Sequence, residues 1–385
     1  MRYVPFPSII DSSMYATWKG CPQKMWKMYF NHWKPKGESV HLVAGKAYAS
    51  GLEAARRAFF EDGKSEEDAQ ALGLTALVRE YGDFECPPES NKSLGRTMGA
   101  LEYYLSQYPL ASEEAKPLEL PEGKRAIEMS FSEPIDVRHP ETGDPLIYVG
   151  RADQIVTYAG ALYGEDDKTT SSLGFGWGEK WHLRSQFTSY CWGFRKIGFE
   201  LGGFLVRGIS ILKTKYETQQ IPTPRPQWVV DRWYTQMVRD LQVMTRQWGA
   251  AMDGDPSYFH YNLDETCTTY GKCAFYNVCR SKDEAPWLKQ DFERKIWDPV
   301  NRTEIILPPD RKVKVLITAE AEIPHDMELA SFQALVQGTP NEALKDYAPR
   351  GFDTEVAESE LSTVIQAPAE LDYPDVPVKE LLFKP

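Results

Sequence analysis

Between residues 150 and 170 the chain sets two carboxylates and a lysine where they can act together. Gly150-Arg151-Ala152-Asp153 leads through a short hydrophobic run to Ala159-Gly160, and the chain returns as Glu165-Asp166-Asp167-Lys168-Thr169-Thr170. Residues 145 to 156 alternate apolar and polar types, and Gly160 tolerates the positive φ of a tight turn, so the segment reads as a β-hairpin. A two-residue turn puts position 153 opposite position 166. Opposed residues of an antiparallel pair share a face with Cβ atoms roughly 5 Å apart, so Asp153 and Asp166 can grip one divalent cation. Lys168, two residues on, shares that face. The same alternation sends Glu165 and Asp167 to the other side, and a register slip of one residue would reverse the choice.

A hard cation held by carboxylates acidifies a bound water and stabilises charge on a phosphoryl oxygen, while a lysine beside it neutralises negative charge as it develops. Those are the requirements of phosphodiester hydrolysis. The plain alternative is a solvated hairpin with surface charges.

Cysteines add a second constellation. Cys267, Cys273 and Cys279 are each separated by five residues, and Cys21 lies near the start in Gly20-Cys21-Pro22. Four thiolates can hold an iron–sulfur cluster or a zinc ion. A chain of 385 residues with six cysteines and no apolar signal segment is of cytosolic type, where clustered cysteines point to metal rather than to disulfides. Cys86 and Cys191 are then left as a surface thiol or small buried hydrophobes.

Gly-Arg-x-Asp, then Asp-x-Lys-Thr, then Gln186 and Tyr190 four residues apart on a following helix, bracketed by one N-terminal and three C-terminal cysteines, resembles the RecB-like PD-(D/E)XK nucleases, most of all their iron–sulfur branch. That branch includes CRISPR-associated RecB-like exonucleases, the nuclease domains of AddB-type helicase-nucleases and phage relatives. The likeness spans about residues 8 to 282. It implies an α/β fold: a restriction-endonuclease-like core with a mixed central sheet flanked by helices and an iron–sulfur staple. It implies Mg²⁺ or Mn²⁺ at Asp153 and Asp166, Lys168 as the catalytic lysine, and Gln186 and Tyr190 supporting the site or contacting the nucleic-acid strand. Cys21, Cys267, Cys273 and Cys279 would ligate a 4Fe–4S cluster, with Zn²⁺ as the alternative. Glu128 would sit on the preceding strand, touching the metal site through water or pairing with a basic residue.

One position departs from the family's pattern. A metal-binding histidine usually follows a glycine by four residues at the start of the first helix, and here Gly45 is followed by Ala49. Alanine cannot ligate. Glu53, one turn further on the same face, is the candidate substitute metal ligand, with His41 a weaker one.

The elements that must position these groups follow from periodicity. Helices are expected over 14–33, 46–60, 65–81, 93–108, 178–196 and 227–252, and strands over 125–131, the hairpin, 202–212 and 312–317; residues 109–122 read as a linker. His182 would complete a stripe with Gln186 and Tyr190. The domain expectation is 1–282 for the nuclease domain, 283–338 for a C-terminal extension, and 339–385 for an acidic, proline-bearing tail, extended or disordered.

No run approaches the roughly 20 apolar residues of a membrane span. The net charge of −12 excludes a protein coated in basic residues but leaves room for a local cationic groove, with Lys24, Lys27, Lys34, Lys36, Arg56, Arg57, Lys180, Arg184, Arg195 and Lys196 as candidates. The expected activity is a metal-dependent DNA nuclease, an exonuclease on single-stranded DNA or duplex ends. It would serve recombination or repair in the cytoplasm of a bacterium or phage-infected host, with a protein partner for the acidic tail. The rival is a catalytically silent module of the same fold that binds nucleic acid or a partner protein.

Overall fold

The computed structural model describes residues 3–307 apart from 175, 264 and 269–271. In chain order its elements are β1 (Ile9–Asp11), α1 (Ser12–Gly20), α2 (Pro22–Met25), β2 (Trp33–Pro35), α3 (Val40–Phe60), α4 (Glu66–Tyr81), α5 (Leu94–Gln107), β3 (Lys116–Pro117), β4 (Ile127–Arg138), β5 (Pro145–Tyr158) and β6 (Ala161–Thr170). There follow α6 (Glu179–His182), α7 (Ser185–Lys196), β7 (Gly203–Ile211), β8 (Tyr216–Pro224), α8 (Gln227–Met252), α9 (Tyr276–Arg280), α10 (Ala285–Asp291), β9 (Phe292–Asp298) and β10 (Thr303–Leu307). The fold is mixed α/β, a central mixed sheet flanked by helices.

The expected hairpin is present in the expected register. Ala159 and Gly160 both adopt positive φ, 49° and 78°, the turn whose twist matches that of the strands. Pairing runs from Tyr158 opposite Ala161 to Gln154 opposite Glu165. There β6 leaves β5 and continues beside β7 as a parallel strand, from Gly164 opposite Phe204 to Thr170 opposite Ser210. β4 covers one edge of β5, from Ile127 opposite Gln154 to Pro134 opposite Ile147. The other edge, vacated by β6, is taken by β1, which pairs in parallel with Ile147 to Val149. Residues 150–153 therefore lie at a fork between β6 and β1.

Helices α3, α4 and α5 cover one face, with Leu52, Leu77, Leu101 and Tyr104 packed against Ile209 and Ile211 of β7. Ser39, Ser65 and Ser93 start these helices by accepting the otherwise unpaired N–H of His41, Asp68 and Arg96. The opposite face is aromatic: Phe187 of α7 stacks on Phe204 at 5.0 Å, and Tyr148 of β5 meets Trp233 of α8 edge-on at 5.8 Å.

Three expectations are corrected. The helix over 14–33 divides, because Pro22 holds Cys21 in extended backbone (φ −165°) and stops α1. The helix over 178–196 breaks at Arg184, which is extended, so His182 leaves the Gln186–Tyr190 stripe. Residues 109–122 are not wholly a linker, since Lys116 and Pro117 pair with β5. In the segment expected as a C-terminal extension, β9 pairs with β2, Trp33 opposite Arg294, and the compact unit runs from Pro5 to Ile306. The expected strand over 312–317 and the tail 339–385 lie outside the described residues.

The strand β6 carries charge into the sheet's interior. On the α3 face, Arg56 bonds Glu165 at 2.5 Å and Asp167 at 2.7 Å, while Arg207 reaches Glu165 at 3.4 Å and Glu113 at 2.9 Å. Tyr104 donates to Asp167 at 2.6 Å and Gln154 to Glu165 at 2.7 Å. Burial pushes the Glu165 carboxyl up to about 7 against the pull of Arg207 and Arg56. Removing one partner of such a buried set leaves a charge uncompensated. Arg56→Met is thus expected to lower stability by about 3–5 kcal/mol, read as a fall in the urea midpoint; an unchanged midpoint would mean that Glu165 and Asp167 do not depend on it.

Candidate active site

At the fork the strands bring together three carboxylates and a lysine. Asp166 lies on the face of β6 opposite Glu165 and Asp167, almost fully buried at 2% exposure, with the Lys168 ammonium against its Oδ1. Asp153 stands one residue beyond the last β5–β6 pair, and its Oδ2 accepts the Asp167 N–H at 2.8 Å. Glu128 stands across from Asp153 on β4, between the pairs Ile127–Gln154 and Met129–Ala152. Its backbone is left-handed, φ 55°, at the second residue of β4. A non-glycine residue held there costs about 1–3 kcal/mol and marks a place where position matters more than relaxation. Glu128 pairs with Arg151 at 2.6 Å.

The electrostatics are those of crowded like charges. Asp153 is held well above the ordinary carboxylate range, first by burial, then by Asp166, with Lys168 opposing and Glu128 and Asp167 adding. Burial also raises Glu128, against Arg151, with Glu53 contributing. Lys168 goes up: burial works against its charge, but Asp166 and Asp153 outweigh it. One ammonium thus serves several buried carboxylates, and a divalent cation would relieve what remains. Asp166 Oδ1 is buried with the Lys168 ammonium against it, so a cation there would share that oxygen with the lysine. The donor set fits a hard divalent ion. As they stand, no three described His, Cys, Asp or Glu side chains converge tightly enough to enclose a metal on their own.

Gln186 and Tyr190 are brought to the same place. Gln186 Nε2 donates to the Tyr190 hydroxyl at 3.2 Å, and the hydroxyl lies within electrostatic reach of Lys168. Gly150 makes this approach possible: a Cβ there would stand 2.7 Å from the Tyr190 ring and 2.6 Å from Phe131. Glu53 is near Glu128 but engaged by Arg57 at 2.9 Å, at the site's margin. Ala49 is exposed.

Cys21 and Cys273 lie within electrostatic reach of Cys279. Burial pushes the Cys279 thiol up to about 11, with Lys27 opposing and Glu284, Cys21 and Cys273 adding. The Cys273 N–H donates to the Cys267 carbonyl at 2.9 Å, and Asn262 donates to the Gly20 carbonyl at 2.8 Å, tying the segment to the end of α1. No three described Cys, His, Asp or Glu side chains converge here to enclose a metal, and the Cys267 thiol donates to the Asn262 carbonyl at 3.5 Å. Cys191 is fully buried, and Cys86 bonds the Pro87 and Ser90 carbonyls.

Half of the ten proposed groove cations are engaged in ion pairs instead. Arg56 is inside, Lys27 pairs with Glu284, Lys34 with Glu304, Arg57 with Glu53 and Glu61, and Arg195 with Glu200. Lys180, Arg184 and Lys196 remain exposed. Half-buried Trp26 stacks on Phe259 at 4.9 Å. A basic group missed from sequence is Arg302, which lies within electrostatic reach of Tyr190, Asp153, Glu128 and Asp166. Its distance along the chain from the motifs gave no signal.

Neither family models nor curated proteins match this chain. Among solved structures it is similar to one described as SSO0001, at 13% identity over 62% of this chain and 78% of that one, TM-score 0.26. It is also similar to a "Putative exonuclease" of Eubacterium rectale, at 12% identity over 63% and 82%, TM-score 0.37. Likenesses this distant carry no argument about the site, which rests on its own side chains. No described helix is long and apolar enough to cross a membrane.

The raised Asp153 carboxyl has a consequence for stability. A group whose folded pKa lies above its ordinary value of 3.8 holds its proton more tightly when folded, so ionisation costs stability as pH rises from 3.8 through the raised value. That cost is absent below the interval and in place above it. In EDTA above the interval, Asp153→Asn is expected to raise the melting temperature by roughly 2–4 °C, the equivalent of about 1 kcal/mol at this size. It should also abolish any rise produced by Mn²⁺. An unraised melting temperature with the Mn²⁺ response intact would contradict the crowding described here.

Proposed function

We propose that this chain is a metal-dependent DNA nuclease of the PD-(D/E)XK, RecB-like kind, acting as an exonuclease on single-stranded DNA or duplex ends. The observation that carries the proposal is the meeting of Asp153, Asp166 and Lys168, with Glu128 beside them, where β5 and β6 part. Asp153 and Asp166 would hold Mg²⁺ or Mn²⁺, with Glu53 as an outlying candidate ligand. The cation, when bound, supplies charge that polarises the phosphodiester and makes nearby water more acidic.

This chain's own groups do the rest. Lys168, kept protonated by Asp166 and Asp153, offers a positive charge where the phosphorane's negative charge grows. Tyr190, bonded to Gln186 and packed edge-on to Phe131 at 6.0 Å, limits where the Lys168 ammonium can go. Asp153, anchored by the Asp167 N–H, keeps its carboxylate at the fork. Exposed Lys180, Arg184 and Lys196 offer charge to the DNA backbone. Cys21, Cys267, Cys273 and Cys279 would hold a 4Fe–4S cluster stapling the start of the fold to its end, or Zn²⁺ in its place. A cytoplasmic setting in a bacterium or infected host, in recombination or repair, and a partner for the acidic tail complete the proposal.

Exposed Ala49 favours a second reading, a module of this fold that binds DNA without cutting it. Kinetics separate the two. Asp166→Asn and Lys168→Ala should each cut the hydrolysis rate of a labelled oligonucleotide at least about 100-fold, near 2.7 kcal/mol of barrier, while DNA affinity in EDTA barely falls. Asp167→Asn should instead lose stability through Arg56 and keep the turnover of the folded fraction. Cleavage unchanged in the first two variants would sink the assignment.

For the staple, Cys273→Ala should remove absorbance near about 400 nm from protein purified without oxygen and lower the melting temperature, since four thiolates joining distant segments constrain the unfolded chain. Metal-bound but colourless parent protein would assign zinc, and an unaltered metal content in Cys273→Ala would overturn the ligand set.

A further inference from the structure

The hairpin between β9 and β10 is built to hold its tip firmly. Asp298 Oδ1 accepts the N–H groups of Val300 at 2.9 Å and Asn301 at 3.1 Å, and Asn301 Nδ2 donates to Asp298 Oδ2 at 2.8 Å. Trp297 Nε1 donates to Asp11 Oδ2 at 2.8 Å, while Asp11 Oδ1 caps α1 through the Met14 N–H at 2.7 Å. Lys34 pairs with Glu304 at 3.2 Å on the other limb. Arg302 lies at the end of the turn in left-handed backbone, φ 56°.

Its side chain lines a cavity of about 170 Å³ together with Ser12, Ser130, Arg151, Gly150 and Tyr190. A guanidinium is always protonated, and a charge drawn out of water is ordinarily paired. Arg302 is half-buried and lies within the field of Tyr190, Asp153, Glu128 and Asp166, yet it makes no ion pair or hydrogen bond with a described residue. Its donors are left to the cavity. Arg151, the second cation on the wall, is committed to Glu128.

We propose that Arg302 is a phosphate-binding residue of the site, its guanidinium donating to a non-bridging oxygen of the scissile DNA phosphodiester from the side away from Asp153 and Asp166. The proposal rests on the nuclease reading above and adds a substrate contact from the segment after residue 282. A planar fork of N–H donors matches two phosphate oxygens at once, and the serine hydroxyls supply neutral donors around them. Between the Arg302 guanidinium and a cation at the carboxylates, the phosphodiester's charge would be met from both sides.

The test uses the full chain, a fluorescein-labelled single-stranded oligonucleotide, and Arg302→Ala, Arg302→Gln and Arg302→Lys. Binding is read by anisotropy in EDTA and in Ca²⁺ across a salt series, and cleavage in Mn²⁺. Arg302→Ala should weaken binding about 10-fold, reduce the salt slope by about one, and lower kcat about 100-fold; Arg302→Lys should recover binding in part. Arg302→Gln keeps the stem and repeats the measurement should the alanine variant melt early. Parent-like binding and cleavage in Arg302→Ala and Arg302→Gln would overturn the proposal. So would faster cleavage or tighter Mn²⁺ binding, which would make Arg302 a plug on the carboxylates. Binding that depends on Arg302 in a parent that never cleaves would uphold the phosphate contact and remove the nuclease reading. A parent that neither binds nor cleaves overturns both.

Discussion

Four charged residues in a row, Glu165 to Lys168, run through the middle of a sheet with helices on both sides. Each face must therefore settle its own charge. On the α3 face, Arg56 and Arg207 meet Glu165 and Asp167, a charge-paired network in which Glu165 Oε2 is still left without a hydrogen bond. On the other face Lys168 meets Asp166 and Asp153, Arg151 pairs with Glu128, and Arg302 lies within electrostatic reach of all three carboxylates. What separates the two faces is crowding: Asp153, raised by burial and by Asp166 beside it, would be relieved by a bound cation.

The fork turns that demand into geometry. Had β6 stayed paired with β5, Asp153 and Asp166 would face each other across an intact ladder with no room for a substrate. Because β6 turns away to follow β7, and β1 takes up the free edge only at Val149, the strands open where the carboxylates stand. The cavity beside the fork is lined in part by the start of α1 and the β9–β10 tip, and those segments are joined through Asp11 and Trp297. The N-terminal and C-terminal parts of the described fold thus meet twice, at this wall and around Cys21 and Cys279. A staple at the cysteines would hold the wall in place as well.

Much of this was legible because it is local. The hairpin register follows from Ala159-Gly160, the two faces of β6 from period-two alternation, and helix starts from Ser39, Ser65 and Ser93. What escaped was non-local or set by a single competing residue. Pro22 overrides a helical pattern that runs straight through Cys21; Arg184 breaks another ahead of Gln186. Arg56 looks like a groove cation on a helix wheel and becomes a structural clamp only because Glu165 and Asp167 lie beneath it. Arg302 shares no spacing with the motifs it approaches, and β9 pairs with β2 across nearly the whole described chain. The left-handed backbone of Glu128 has no sequence signature, since glutamate is an ordinary strand residue.

The central claim is that the face of β6 bearing Asp166 and Lys168 exists to hold a cation and cut phosphodiesters. The most direct test incubates the purified full chain with end-labelled single- and double-stranded DNA in Mg²⁺, Mn²⁺ or EDTA. Cleavage with either cation and none in EDTA is the predicted result; no cleavage with any metal, or cleavage that EDTA leaves untouched, would contradict it.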